Sequence, residues 1–260
     1  RRLTGDELLY RPAISLAAQH VEQFIYTEGV ATFYADADGP FRVCLNHTLL
    51  YERAGLPLPR TFYCATANRK LLRSFVAQLG GFPIILKMLG GSRGIGVMRV
   101  DSFPALFSLV DYVKSMGGYP LLTAYIEDAV HWRVVVIGDR AVAAYQNCTE
   151  PDDFRTYARE ELSDYVRPSV AMADLSVRAV QTVRCEFGGV DILAQPDGRM
   201  YVLEANFPCY FPQAQLVAGV DIAGMMIDYL QRKATRLRRD RRSQRRTELA
   251  RPSLPAIMRR

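Results

Sequence analysis

The 260-residue chain has one tryptophan, three histidines and only four lysines, against 29 arginines. Its five cysteines (Cys44, Cys64, Cys148, Cys185, Cys209) are odd in number and show no CxxC spacing. That excludes a zinc ribbon and argues against a disulfide framework, so reduced thiols and a cytoplasmic setting are expected. No stretch approaches the roughly 18 uninterrupted apolar residues of a membrane span, so no membrane contact is expected. The opening Arg1-Arg2-Leu3-Thr4-Gly5-Asp6-Glu7 lacks the apolar core of a signal peptide. The missing initial methionine is read as the mark of a trimmed chain. No GxSxG elbow is present, and His20, His47 and His131 form no catalytic spacing with a cysteine or serine. What is left is ordinary globular composition, 49% hydrophobic and 23% charged, which excludes disorder and fibrous classes.

The net charge of +6 is unevenly spread. Residues 231–260 hold 12 Lys+Arg against 2 Asp+Glu, so the remainder is net negative. This basic tail is either a solvated helix end running into a terminus or a footprint for RNA or another polyanion. No aromatic side chain interleaves its arginines, which favours the first reading over single-strand stacking.

Apolar spacing predicts helices over 12–28, 45–54, 67–79, 104–116 and 170–186, and a last helix from about Asp221. Between the third and fourth lies strand, glycine-rich loop, strand (82–100). Hairpins are expected at 134–145, turning at Gly138-Asp139, and at 190–206, turning at Asp197-Gly198. The polar stretch 150–168 reads as a loop. Helices alternating with antiparallel hairpins imply α+β lobes, not a doubly wound parallel sheet.

Three constellations carry chemistry. The first is Lys87-Met88-Leu89-Gly90-Gly91-Ser92-Arg93-Gly94-Ile95-Gly96-Val97, where four glycines let backbone N–H groups approach a phosphate. No Gly-Lys-Ser/Thr closes it and a strand follows, so it is neither a Walker A loop nor a dinucleotide fingerprint. Lys87 ends the apolar run Ile84-Ile85-Leu86, where a charge is costly without an anionic partner. A snorkelling lysine beside a plain hairpin turn is the competing reading. The second constellation is Gly189-Val190-Asp191-Ile192 with Leu203-Glu204-Ala205-Asn206. A two-residue turn at Asp197-Gly198 sets Asp191 opposite Glu204, with Asn206 on the same face. Facing carboxylates repel unless a cation sits between them, and hard oxygen ligands suit Mg²⁺ or Mn²⁺. Two solvent-facing acids on an edge hairpin are the alternative. The third is Asp153-Phe154-Arg155-Thr156, in which Arg155 either braces a phosphoryl group or pairs with Asp152 or Asp153 at the surface.

Together with the segment around Tyr125 and Ile126 and with Gly219-Val220-Asp221-Ile222-Ala223-Gly224, these motifs resemble the ATP-grasp superfamily over about residues 42–230. They are most similar to its RimK-type branch of carboxylate–amine ligases, and also to glutathione synthetases. The resemblance implies two α+β subdomains sandwiching ATP (45–124 and 125–230), a shortened N-terminal lobe (1–44) and a basic tail (231–260). It implies ATP and Mg²⁺ (or Mn²⁺) as cofactors. It further implies Lys87 and Arg155 on the phosphates and in catalysis, a lid containing Gly91, Ser92, Gly94 and Gly96, and Tyr125 and Ile126 as the adenine hinge. Asp191, Glu204 and Asn206 would hold the metal. Four positions depart from the family pattern. Ala124 stands for a hinge Glu, His131 for an acidic residue near the ribose, and Tyr157 for an Asn. Cys44 and His47 lie where a second nucleotide-binding Lys is expected. The implied activity is amide-bond formation through an acyl phosphate, with small-molecule or peptide carboxylate and amine substrates. An ATP-grasp kinase, a nucleotide-binding pseudoenzyme, and a polyanion-binding protein acting through the tail are the rivals.

Overall fold

The computed structural model describes residues 23–27, 30–34, 48–64, 66–88, 94–149, 153–157, 167–207, 209 and 211–249. Contacts divide the chain after Gly219 into two units. In the first, β1 (Gln23–Thr27) and β2 (Val30–Tyr34) pair antiparallel, Thr27 opposite Val30. This corrects the helix expected over 12–28, whose residues 12–22 lie outside the described part. The helical spacing of Phe24 and Ile25 is overridden by a β-prone run, Phe24-Ile25-Tyr26-Thr27. The equally β-prone Val30-Ala31-Thr32-Phe33-Tyr34 supplies the strand it pairs with.

A four-stranded antiparallel sheet has the order β3-β6-β4-β5, with β3 (Thr61–Tyr63), β4 (Ile84–Met88), β5 (Val97–Val100) and β6 (Pro120–Ala124). Helices α1 (Arg69–Leu79) and α2 (Phe103–Ser115) lie where the sequence spacing puts them, within one or two residues. Asn68 caps α1 by accepting from the Lys70 and Leu71 N–H groups, and Gly80 stops it in the left-handed region at φ 104°. Leu72, Val76 and Leu79 of α1 and Leu106 and Val110 of α2 close on Ile84, Leu86, Val100 and Leu122. Burying each of these side chains contributes roughly 1.5–3 kcal/mol before entropy is charged against it.

The second sheet has five antiparallel strands in the order β11-β10-β7-β8-β9: β7 (Val130–Ile137), β8 (Arg140–Thr149), β9 (Thr156–Tyr157), β10 (Phe187–Ala194) and β11 (Met200–Asn206). Helix α3 (Val170–Thr182), capped by Ser169, packs Met172, Leu175, Ala179 and Val180 on Val134, Val136, Val190, Ile192 and Val202. It ends four residues earlier than 170–186 predicts, because Arg184 turns left-handed (φ 56°) and the Cys185 N–H returns to the Val180 carbonyl. The short strand β9 falls in the stretch expected to be loop. Tyr51 and Leu56, from the segment grouped by sequence with 45–124, pack in this second core. Two antiparallel sheets with their helices thus give the α+β class expected.

Helix α4 (Pro212–Ala218) ends the first unit at Gly219. The second unit is α5 (Ile222–Leu249), a 28-residue helix whose Gly224 N–H is capped by the Asp221 carboxylate at 2.8 Å. The division expected between residues 230 and 231 falls inside it. Among the described residues, no helix is long and apolar enough to cross a membrane. Among the described residues, Cys64, Cys185 and Cys209 are in no disulfide.

Candidate active site

The alternation of the five-stranded sheet decides what can gather. Val134, Val136, Val190 and Ile192 point to α3. Their neighbours point to the opposite face, and register aligns them in one row across four strands: Glu204, Asp191, Arg133 and Tyr145. Asp191 lies opposite Glu204, as the sequence predicts, but by a different route. The turn is not a two-residue one. It spans five residues, with the Gln195 N–H donating to the Arg199 carbonyl and Ala194 opposite Met200. A bulge between Asp191 and Ile192 absorbs one extra residue on β11 and restores the pairing.

Asp191 is buried, 4% exposed. Its carboxylate accepts a forked pair of bonds from Arg133, Nε to Oδ1 and Nη2 to Oδ2, the latter at 2.9 Å. His131 Nε2 is 3.2 Å from Oδ1. Asn206 Nδ2 donates to Asp191 Oδ2 at 3.2 Å and to Glu204 Oε1 at 3.0 Å. Burial alone would raise the Asp191 carboxyl, but the guanidinium beside it, with His131, holds it below the usual carboxylate range. Burial then opposes the charge on Arg133 as well, and Asp191 restores it.

The structure therefore brings Asp191, Glu204 and Asn206 together, and it changes the reason they tolerate one another. Sequence reasoning required a cation between the acids, whereas Arg133 already offsets the buried charge. Arg133 went unnoticed, although its place in the run Trp132-Arg133-Val134 carries the same signal as Lys87: a cation on an apolar strand. Gly189 makes room for it. A Cβ there would stand 2.6 Å from Cys209 Sγ and 3.1 Å from Arg133 Cδ. Cys209 is buried in consequence, and its thiol is pushed up to about 11 by that burial, against the pull of Arg133. Buried Tyr51 lies beneath, its phenol raised by burial and by nearby Cys185 and Glu204.

The other expected residues are placed as follows. Lys87 is half-buried on β4, opposite Val97 and Leu121. Gly91 and Ser92 lie outside the described residues. Gly94 and Gly96 have φ of 76° and 81°, a conformation a side chain would strain. The Met88 N–H donates to the Gly96 carbonyl at 2.7 Å, closing the flap's base. A Cβ on Gly94 would meet Arg155 Cδ at 3.4 Å, so the flap and the Arg155 loop are neighbours. Arg155 is bound to Asp153, Nε to both carboxylate oxygens at 2.9 and 2.8 Å. That hydrogen bonding lowers the Asp153 carboxyl. An exposed pair of this kind opens readily, so Arg155 is able to exchange Asp153 for another anion. Tyr125 and Ile126 follow β6, and the Arg99 guanidinium stacks 4.9 Å from the Tyr125 ring centroid. Gln195 Nε2 donates to the Glu127 carbonyl at 3.0 Å and ties this connection to the β10–β11 turn. His131, expected near a ribose, stands 3.2 Å from Asp191 Oδ1.

The donor set suits Mg²⁺. Among the described residues, no three His, Cys, Asp or Glu side chains gather as a metal cluster. Two carboxylates and an amide are a sparser set, and Mg²⁺ characteristically takes one or two carboxylates and completes its shell with water and substrate phosphates.

These features define an ATP-grasp domain, and the comparisons agree. Residues 43–230 match the RimK-like ATP-grasp domain, and the chain belongs to that family. The ribosomal protein bS6–L-glutamate ligase of Salmonella paratyphi B is 30% identical over 194 residues, covering 74% of this chain and 64% of that protein. The chain thus spans less than two thirds of the length of such relatives. The ATP-grasp ligase PsnB, solved with a minimal precursor, Mg and ADP, is similar with a TM-score of 0.56 and 28% identity, over 72% of this chain and 56% of its own. The D-alanine–D-alanine ligase from Coxiella burnetii shares the fold, with a TM-score of 0.57 over 79% of this chain and 61% of its own at 13% identity.

Proposed function

We propose that this domain belongs to an ATP-dependent carboxylate–amine ligase. A carboxylate oxygen attacks the γ-phosphorus of ATP, the bond to the β-phosphate oxygen breaks, and ADP leaves an acyl phosphate. An amine then adds to the acyl carbon, inorganic phosphate departs, and the nitrogen loses a proton to give the amide. The observation that carries the reading is the oxygen-donor cluster of buried Asp191 with half-buried Glu204 and Asn206 beside Arg133, on the same sheet as the Arg155 loop that touches the glycine flap. Lys87 supplies a fixed positive charge to phosphate, and Arg155 a second one once released from Asp153. The flap backbone, free of Cβ atoms at Gly94 and Gly96, offers N–H donors and excludes water. Asp191, Glu204 and Asn206 would hold Mg²⁺, which when bound neutralises charge on the phosphoryl oxygens. The bS6 ligase is named for a ribosomal protein and L-glutamate, and PsnB is solved in complex with a precursor, so a peptide or protein carboxylate with an amino-acid amine is the substrate class proposed.

Measuring ADP and amide product in one assay tests this, because ADP without amide would leave a kinase or a bare ATPase. Lys87→Ala is expected to weaken ATP binding by about 1.5–3 kcal/mol, the worth of a charge-assisted contact. Titration calorimetry on a variant with unchanged melting temperature checks it. The flap gives a further expectation: the Gly94 and Gly96 amides should exchange more slowly once ATP and Mg²⁺ bind. Equal exchange with and without nucleotide would reduce the flap to an ordinary turn.

A second surface has its own support. Arg232, Arg236, Arg238, Arg239, Arg241 and Arg242 of α5 are exposed. At 100° per residue they circle the helix, together with half-buried Lys233, instead of sharing a face. Cations on all sides suit a groove between two phosphate strands better than a flat lipid surface, so this helix is proposed to contact a polyanion, with duplex RNA the best fit. Removing residues 238–260 should abolish salt-sensitive RNA retention and leave ATP hydrolysis intact.

A further inference from the structure

The Asp191 carboxylate has four lone-pair positions; three accept hydrogen bonds, and His131 Nε2 stands 3.2 Å from Oδ1. Arg133 Nε and His131 Nε2 face Oδ1, while Arg133 Nη2 and Asn206 Nδ2 face Oδ2. A cation coming to Asp191 Oδ2 must therefore displace Arg133 Nη2 or Asn206 Nδ2. The Arg133 fork is charge-assisted on both arms and flanked by Gly189 and Cys209. Withdrawing it would strand a guanidinium in a site where its side chain is only 20% exposed. The Asn206 donor carries no charge, and its bond is long at 3.2 Å and shared with Glu204. It is the donor that yields. Asn206 need not leave, since rotation of its amide replaces the N–H donor facing two carboxylates by the carbonyl oxygen a cation requires.

We propose that Arg133 is a specificity-determining positioning residue that makes this site select Mg²⁺ or Mn²⁺ over Ca²⁺. This rests on reading Asp191, Glu204 and Asn206 as the metal ligands. By holding the edge that joins Oδ1 and Oδ2, Arg133 leaves Asp191 a single oxygen to offer. A small octahedral cation needs no more than one oxygen per carboxylate. Ca²⁺ takes six to eight oxygens and draws on two-oxygen carboxylate coordination, which the fork blocks. Arg133 touches neither the metal nor the substrate.

The test is Mn²⁺ binding read by electron paramagnetic resonance in the presence of ADP, without turnover, with Mg²⁺ and Ca²⁺ as competitors. The wild-type protein should release Mn²⁺ to Mg²⁺ more readily than to Ca²⁺. Arg133→Lys keeps the charge but not the fork, and should shift the Ca²⁺-to-Mg²⁺ preference toward Ca²⁺ on the order of tenfold, the scale of one exchanged contact. An unchanged ratio in a variant that still binds Mn²⁺ overturns the role of Arg133 and leaves the metal site standing. Equal competition by the two ions in the wild-type protein overturns it too, whether or not the variant folds. A wild-type protein that binds no Mn²⁺ with ADP overturns the metal site itself.

Discussion

Glu204→Gln is expected to lower Mg²⁺-dependent ATP turnover on the order of a thousandfold, about 4 kcal/mol of transition-state stabilisation, while the protein stays folded. The substitution keeps the shape of the side chain and removes one ligand charge. Asp191 keeps its Arg133 fork and its Asn206 bond, so no buried charge is orphaned. The remaining acid is relieved of a like-charged neighbour, and the melting temperature should hold or rise slightly. Steady-state ADP release across a Mg²⁺ titration, alongside thermal melts, checks both halves. Near-normal turnover at low millimolar Mg²⁺ would make the two acids a mere structural pair. From sequence, Asp191→Asn is expected to behave like Glu204→Gln. The structure separates them, because Asp191→Asn leaves the buried Arg133 unpaired and must cost stability as well as turnover.

The largest effect on stability is expected from Arg133→Met. Breaking a buried ion pair by removing one partner costs about 3–5 kcal/mol, because the other charge stays buried without compensation. For a unit of this size that corresponds to a fall of roughly 10 °C in melting temperature. The pH dependence should also reverse in sign. In the wild-type protein the Asp191 carboxyl is lowered, so its stabilisation is complete above the ordinary aspartate range. It is lost only as pH falls through the depressed folded value. In Arg133→Met only His131 and the Asn206 amide still favour the ionised form, and burial, the largest influence on the group, raises the carboxyl above its unfolded value. Mild acidification should then stabilise the variant by protonating Asp191. Denaturant melts near pH 7 and pH 5 distinguish the two, and parallel losses in both proteins would show that the fork contributes little.

Much of this was legible in the chain, and the failures have physical causes. The β10–β11 pairing was read from two apolar runs about a turn. The turn was wrong and the pairing right, because the bulge beside Asp191 offsets the longer loop. Spacing arithmetic sees neither. Arg133 escaped because motif reading looked for acids to hold a metal and overlooked the cation that balances them across the neighbouring strand. Pairing between β7 and β10, 58 residues apart at Arg133 and Asp191, is not a local signal. The helix expected over 12–28 fails at 23–27 because helical spacing and β-prone composition coexist there, and pairing with Val30–Tyr34 decides for the strand.

Every residue in the row from Glu204 to Tyr145 is borne on a strand, whereas Gly94, Gly96 and Arg155 lie on connections. The proposed ion therefore meets a frame whose ordering cost was met during folding, while the proposed nucleotide site draws in part on connections. The two events should answer differently to the medium. Raising solvent viscosity should slow nucleotide capture and release, and leave the ion's arrival governed by loss of its own water shell.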